Sequence, residues 1–256
     1  MKKFALFCLL LLAALATVHA AQSRETLNLD AANCRSLHIE CGAGDLKVRG
    51  DDKLDRIEVS AVLDVKGISE SEIPEFKKEH VTLTLERSGD QAKLVSRIES
   101  GFPLDHLFGG MNAHIDLEVR MPRRLHLAVD DGSGDSEIRL LDNGLALDDG
   151  SGDITLEEIG GGVRIVDGSG DMFLTGIKGK LDIEDGSGDI ELNAAGGDVY
   201  VDDGSGDIAI SQVLGSVEID DGSGDIVIDG VDKDVTIGEA GSGGLKIRNV
   251  KGQVRK

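Results

Sequence analysis

Carboxylates are the side chains of this sequence whose type and spacing could do chemistry. Asp131, Asp149, Asp167, Asp185, Asp203 and Asp221 recur every 18 residues, and so do Asp135, Asp153, Asp171, Asp189, Asp207 and Asp225. The two sets begin and end one phrase, Asp-Gly-Ser-Gly-Asp. A third, looser set runs Asp130, Asp148, Val166, Glu184, Asp202 and Asp220. Repeated pairs of oxygen ligands suit a hard cation, so calcium held between neighbouring corners is one reading of the first two sets. The other is that each carboxylate accepts hydrogen bonds from turn N–H groups, as in Asx-turns. Stacked like charges about 5 Å apart repel by about 0.8 kcal/mol per pair in water, so something must offset the columns. The calcium motif of β-rolls, Gly-Gly-x-Gly-x-Asp-x-apolar-x, fits poorly. Asp153 follows Gly152 directly, and the opposite half-coil Glu158 to Val166 carries no Asp.

Other reactive groupings are lacking in the sequence. All 6 histidines lie at or before His126, and the repeats contain no cysteine. No Ser-His-Asp set, zinc spacing, phosphate loop or dinucleotide turn stands out. Carboxylate pairs can serve glycoside hydrolysis. An enzyme built on repeats would nevertheless need one coil with unlike polar groups, and these coils are near-copies. The sequence therefore implies no catalytic residues and no organic cofactor.

The elements that hold the columns follow from the rest of the repeat. In DDGSGDITLEEIGGGVRIV, Ile154 and Leu156 alternate with polar neighbours, and Val163 and Ile165 repeat the pattern. Such period-2 alternation predicts two half-buried strands per repeat. Ile159, Ile177, Ala195, Val213 and Val231 form a further apolar column that plugs the turn between strands. Glycines mark both corners, Gly150 and Gly152 at one and Gly161, Gly179, Gly197 and Gly215 at the other. Asn143 stands in the second glycine column, which predicts a left-handed backbone there. An unslipping period with two strands and two corners predicts a parallel β-solenoid of 18-residue coils. An open antiparallel meander explains the alternation but not the fixed period.

Composition agrees with a thin core of β-branched and Leu side chains, since aromatics are only 3% and Trp is absent. The net charge is -21, and between Asp130 and Glu239 29 acidic residues face 5 basic ones. Such a rod repels nucleic acid and anionic lipid and attracts cations or basic partners. Residues 1–20, MKKFALFCLLLLAALATVHA, read as a secretory signal peptide cut after Ala20, with no transmembrane anchor left afterwards. This predicts an exported protein, periplasmic or extracellular at the cell surface. Cys34 and Cys41 are the cysteines beyond that segment. Export favours a disulfide between them. Their places seven apart along an extended strand oppose it, and both outcomes stand.

Residues 21–126 read as a worn first coil plus an irregular excursion, and residues 127–256 as the regular array. Leu37, Ile39, Leu46 and Val48 form that first coil around Gly-Ala-Gly-Asp. A longer strand with Ile57, Val59, Ala61, Leu63 and Val65 follows. Ser69 to His80 reads as a short helix with Ser69 and Glu72 in capping-box spacing, started late or cut short by Pro74. Ser100 to Asn112 carries Phe102, Leu107 and Phe108 among glycines. It reads either as a lid on the solenoid end or as an apolar loop contacting a partner. At the far end Lys246, Arg248, Lys251, Arg255 and Lys256 replace the acidic corners, as expected of a terminal coil that must not template another chain.

The signal-like start, the worn coil, the helix-bearing excursion, the strand VRMPRRLHLAV and the Gly-Ser-Gly-Asp-Ile repeats together resemble the bacterial adhesin-like family of exported β-strand-repeat proteins. The resemblance runs from Leu37 to Val254. It implies a β-solenoid associated with the cell envelope. It implies no agreed ligand, so no site residues carry over from it. The expectation is a non-catalytic envelope or surface module with an unidentified envelope partner; the alternative is a calcium-binding β-roll.

Overall fold

The computed structural model describes residues 21–99 and 112–256. Two sheets of 11 strands face each other, and each 18-residue coil contributes one strand to each. Ile154–Ile159, Met172–Ile177, Ile190–Ala195 and Ile208–Val213 succeed one another in the first sheet. Leu145–Asp149, Val163–Asp167, Leu181–Asp185 and Val199–Asp203 do so in the second. All these neighbours are parallel and in register, Ile154 beside Met172 and Val163 beside Leu181. This is the parallel β-solenoid that the period predicts.

The apolar columns point inward. Ile154, Leu156, Ile159 and Ile165 are each 0% exposed, and the same holds within a few per cent down the stack. Burying two such strands per coil on both inner faces is what a lone coil cannot do, so neighbours stabilise one another.

The excursion is built into both sheets. The first-coil strand Leu46–Asp51 lies between Ala113–Pro122 and Ser136–Leu141. Its companion Ser36–Cys41 lies between Gln91–Ile98 and His126–Asp131. Beyond these the pairing turns antiparallel, through Arg56–Val65 and Ala21–Asp30 in one sheet and Val81–Ser88 in the other. The N-terminal end is thereby closed by strands of opposite sense, which end the parallel template. The strand Ala21–Asp30 is unannounced in the sequence, because only Leu27 and Leu29 alternate there.

The helix runs Ile73–His80, with Pro74 in its first turn and Ile73 and Phe76 buried. Glu72 occupies the cap position, and its carboxylate accepts from the Ser69 N–H at 2.8 Å and hydroxyl at 2.7 Å. The late start expected of Pro74 is therefore seen. At the far end a residue inserted near Gly238 shifts the register, pairing Asp220 with Glu239. Leu245, Ile247 and Val250 of the last coil are only half-buried.

One corner differs from expectation. Among the described residues, Asn143 and the glycines at 161, 179, 197 and 215 are not left-handed. Left-handed backbone lies three residues earlier, at Leu140, Glu158, Gly176, Ala194, Gln212, Gly230 and Asn249, just before the plug residue. Each kinks its strand without a change of register, so that the plug residue after it points inward. Glycine at 179 serves close stacking instead, since a Cβ there would meet the Gly161 carbonyl carbon at 2.4 Å. Asn143 instead uses its side-chain amide to donate to the Arg124 carbonyl oxygen.

Candidate functional site

The Gly-Ser-Gly corner sets the first two carboxylate columns on opposite sides of the wall. In Leu145–Asp149 the inward positions are Leu145, Leu147 and Asp149, so the aspartate continues the core row. Asp131, Asp149, Asp167, Asp185, Asp203 and Asp221 are all buried, between 1% and 7% exposed. From Asp149 on, Oδ1 accepts from the serine N–H two residues later, for example Ser151 at 3.1 Å and Ser223 at 2.9 Å. Asp131 instead receives the Ser136 hydroxyl at 3.0 Å. The second oxygen of Asp149, Asp167, Asp185, Asp203 and Asp221 is buried without a hydrogen-bond partner, as is Oδ1 of Asp131.

That environment penalises charge. Burial is the main cause that lifts all six carboxyls above the ordinary aspartate range. Asp149 rises to about 7, with Asp131 and Asp167 adding repulsion, and Asp185 to about 7 beside Asp203 and Asp167. Asp203 rises to about 6. Protonation is the cheap way to keep a buried, half-satisfied carboxyl.

The outer column, Asp135 to Asp225, is exposed apart from half-buried Asp171 and is used differently. Each Oδ1 accepts the backbone N–H of its counterpart one coil on, as Asp171 donates to Asp153 at 3.0 Å and Asp225 to Asp207 at 2.8 Å. Gly244 ends the run by donating to Asp225 at 2.7 Å. From Asp149 on the inner column thus spends an oxygen on the turn N–H two residues later, in the manner of an Asx-turn, whereas the outer column spends one on the N–H of the next coil.

Among the described residues, one grouping brings three metal-type ligands within 4.8 Å: His38, Glu40 and Asp130. None of the twelve aspartates considered above belongs to it. His38 Nε2 lies 3.0 Å from Asp130 Oδ2. Glu40 is already held by Lys93 and, at 2.7 Å, by Arg97, and these cations keep its carboxyl below the usual range. Cys34 and Cys41 are free thiols, so the geometric objection to a bridge prevails. Burial, with Asp131 nearby, pushes the Cys41 thiol far up, which leaves it protonated and unreactive. Phe102, Leu107 and Phe108 lie outside the described residues.

A groove missed at the level of sequence lies on the outer face of the first sheet, at its N-terminal half. Its volume is about 710 Å³, and Lys47, Arg49, Arg120 and Arg139 gather four cations on one face. Five strands build it: Ala21–Asp30, Arg56–Val65, Ala113–Pro122, Leu46–Asp51 and Ser136–Leu141. Glu58, Glu118, Glu137, Thr26 and Ser60 supply acceptors and hydroxyls between the cations.

The sequence pattern matched by this architecture is that of a recognised family, with the match spanning residues 34–255. The chain belongs to the Toastrack DUF4097 family. A candidate adhesin of known structure from Parabacteroides merdae is 13% identical over 92% of this Toastrack chain and 95% of its own, with a TM-score of 0.47. A second candidate adhesin, from Parabacteroides distasonis, is 12% identical over 91% and 96%, at 0.45. A candidate lipid-binding protein from Parabacteroides distasonis is 17% identical over 91% and 96%, at 0.43. No curated protein matches the Toastrack chain. No helix among its described residues is long and apolar enough to cross a membrane.

Proposed function

We propose that this protein is a non-catalytic, exported module of the cell envelope or cell surface that binds through the faces of an acidic β-solenoid. The observation that carries the reading is how the corner carboxylates are spent. Coil after coil, an oxygen of each column accepts the equivalent backbone N–H, at 2.9–3.2 Å from Ser151 to Ser223 and at 2.7–3.1 Å from Asp153 to Gly244. Groups committed to their own backbone, in near-identical copies, stabilise a scaffold. Catalysis needs unlike groups converging at one place. Export rests on residues 1–20, whose composition is that of a secretory signal.

Two measurements test this. Cell fractionation is expected to recover the protein outside the cytoplasm, shortened by the first 20 residues; full-length protein confined to the cytoplasm would contradict export. Incubating the pure protein with envelope glycans and peptides is expected to leave them intact. Turnover that disappears when one coil's carboxylates become amides would overturn the non-catalytic reading.

A further inference from the structure

The groove on the first sheet has an unusual charge row. Across adjacent strands its register runs Asn28, Glu58, Arg120, Arg49, Arg139 and Glu157. Three arginines thus stand side by side, at strand spacings of about 4.8 Å. Like charges directly opposite across strands destabilise a sheet unless something neutralises them. The outer two are neutralised. Arg120 reaches Glu58 at 2.9 Å and Asp51 at 2.7 Å, and Arg139 pairs with Glu137 and, at 3.4 Å, Glu157.

The middle one is not. Arg49 has no ion pair or side-chain hydrogen bond among the described residues, and neither has Lys47, two positions back on the same face. Lys47 sits in register between Glu118 and Glu137, yet neither carboxylate is within ion-pair distance. The groove floor therefore offers a free guanidinium fork and a free ammonium, ringed by carboxylates already engaged or poised to accept hydroxyls. Thr26 and Ser60 add hydroxyl groups at the rim.

We propose that Arg49 and Lys47 form the anion subsite of a groove that takes an acidic sugar, a hydroxyl-rich ring carrying one carboxylate or phosphate. A guanidinium fork matches either oxyanion bidentately. The flanking glutamates accept from ring hydroxyls, which a bare inorganic anion lacks. At about 710 Å³ the groove is of the size that small-molecule sites have. Densely charged anionic polymers fit poorly where they would run on from the groove along the acidic repeat array that adjoins it. The proposal rests on the reading of the protein as a binder and names the ligand class of that binding.

The test is a titration of the isotope-labelled protein with glucuronate, glucose 6-phosphate and glucose, followed through backbone amide shifts at low salt. Saturable shifts confined to residues 47–49, 58–60, 118–120 and 137–139 are expected with one or both acids and not with glucose. Whichever acid saturates at lower concentration identifies the oxyanion. Arg49→Ala should weaken binding about tenfold or more while leaving amides outside the groove in place, and Arg49→Lys should recover part of it. Glucose acting as well as the acids, no groove shifts with either acid, or shifts unchanged in Arg49→Ala would each overturn the subsite. Chemical conversion of a bound probe would instead overturn the non-catalytic reading and leave the subsite standing.

Discussion

At the residue scale, the buried aspartates decide the response to pH. A carboxyl whose folded pKa lies above its unfolded value of about 4 binds its proton more tightly in the native state. Its stabilising contribution is therefore complete below about pH 4 and is lost as pH rises through the folded values. For Asp149, Asp185 and Asp203 those values are about 7, about 7 and about 6. Carboxyls held low by partners, such as Glu40 and Asp198, act in the opposite sense, but only toward the acid end of this range. The expected outcome is a melting temperature at pH 5 several degrees above that at pH 8. Reduced charge repulsion near the pI of about 4.5 would tilt the curve the same way, so a variant must separate the two causes. Asp185→Asn keeps an acceptor for the Ser187 N–H and replaces a costly charge with a neutral amide. It should stabilise the protein at pH 8 and be near neutral at pH 5, whereas exposed Asp189→Asn should show no such contrast. Equal effects from the two variants in paired melts at both pH values would refute the buried-proton account.

At the scale of the coil, the two corner conformations make separable predictions. Gly170 is left-handed, with φ of 145°, and a Cβ there would lie 1.9 Å from the Gly152 carbonyl oxygen. Gly176 is also left-handed, at φ of 69°, but a Cβ there meets nothing closer than 3.5 Å. Gly176→Ala should therefore cost about 1 kcal/mol in a urea melt, and Gly170→Ala several times more, because backbone must move. Removing the 18 residues Asp167 to Glu184 should leave a shorter folded solenoid, since Val166 then joins Asp185 in register. Removing nine would put an inward strand on the wrong wall and should unfold it. Equal losses from the two deletions would contradict the two-strand coil. The coil was legible in the sequence because each inward position repeats one apolar type at a rigid interval. The left-handed kink was not, because residues as unlike as Leu140, Glu158 and Gln212 occupy it and packing of the next residue imposes it. The groove was hidden for a topological reason. Its strands span residues 21–141 and meet only because the first coil is inserted between the excursion and the array. Whether Cys34 and Cys41 bridge was left open by the sequence, since export favoured a disulfide and strand spacing opposed it; both are free thiols, and Cys34 lies just before the strand Ser36–Cys41.

At the scale of the molecule, charge and architecture are one problem. The solenoid stacks like charges along its corners, and the whole chain carries -21. Backbone N–H donors to both columns, and burial that raises the proton affinity of the inner one, offset this within the protein itself. The account therefore assigns the columns to the scaffold and leaves binding to the faces. Thermal unfolding of the purified protein in millimolar calcium, in sodium chloride of matched ionic strength and in chelator tests that assignment most directly. The account predicts the same melting temperature in calcium as in matched sodium chloride, with chelator having no effect beyond its ionic strength. A calcium-specific rise of several degrees that vanishes when Asp153, Asp171 and Asp189 become asparagines would contradict it.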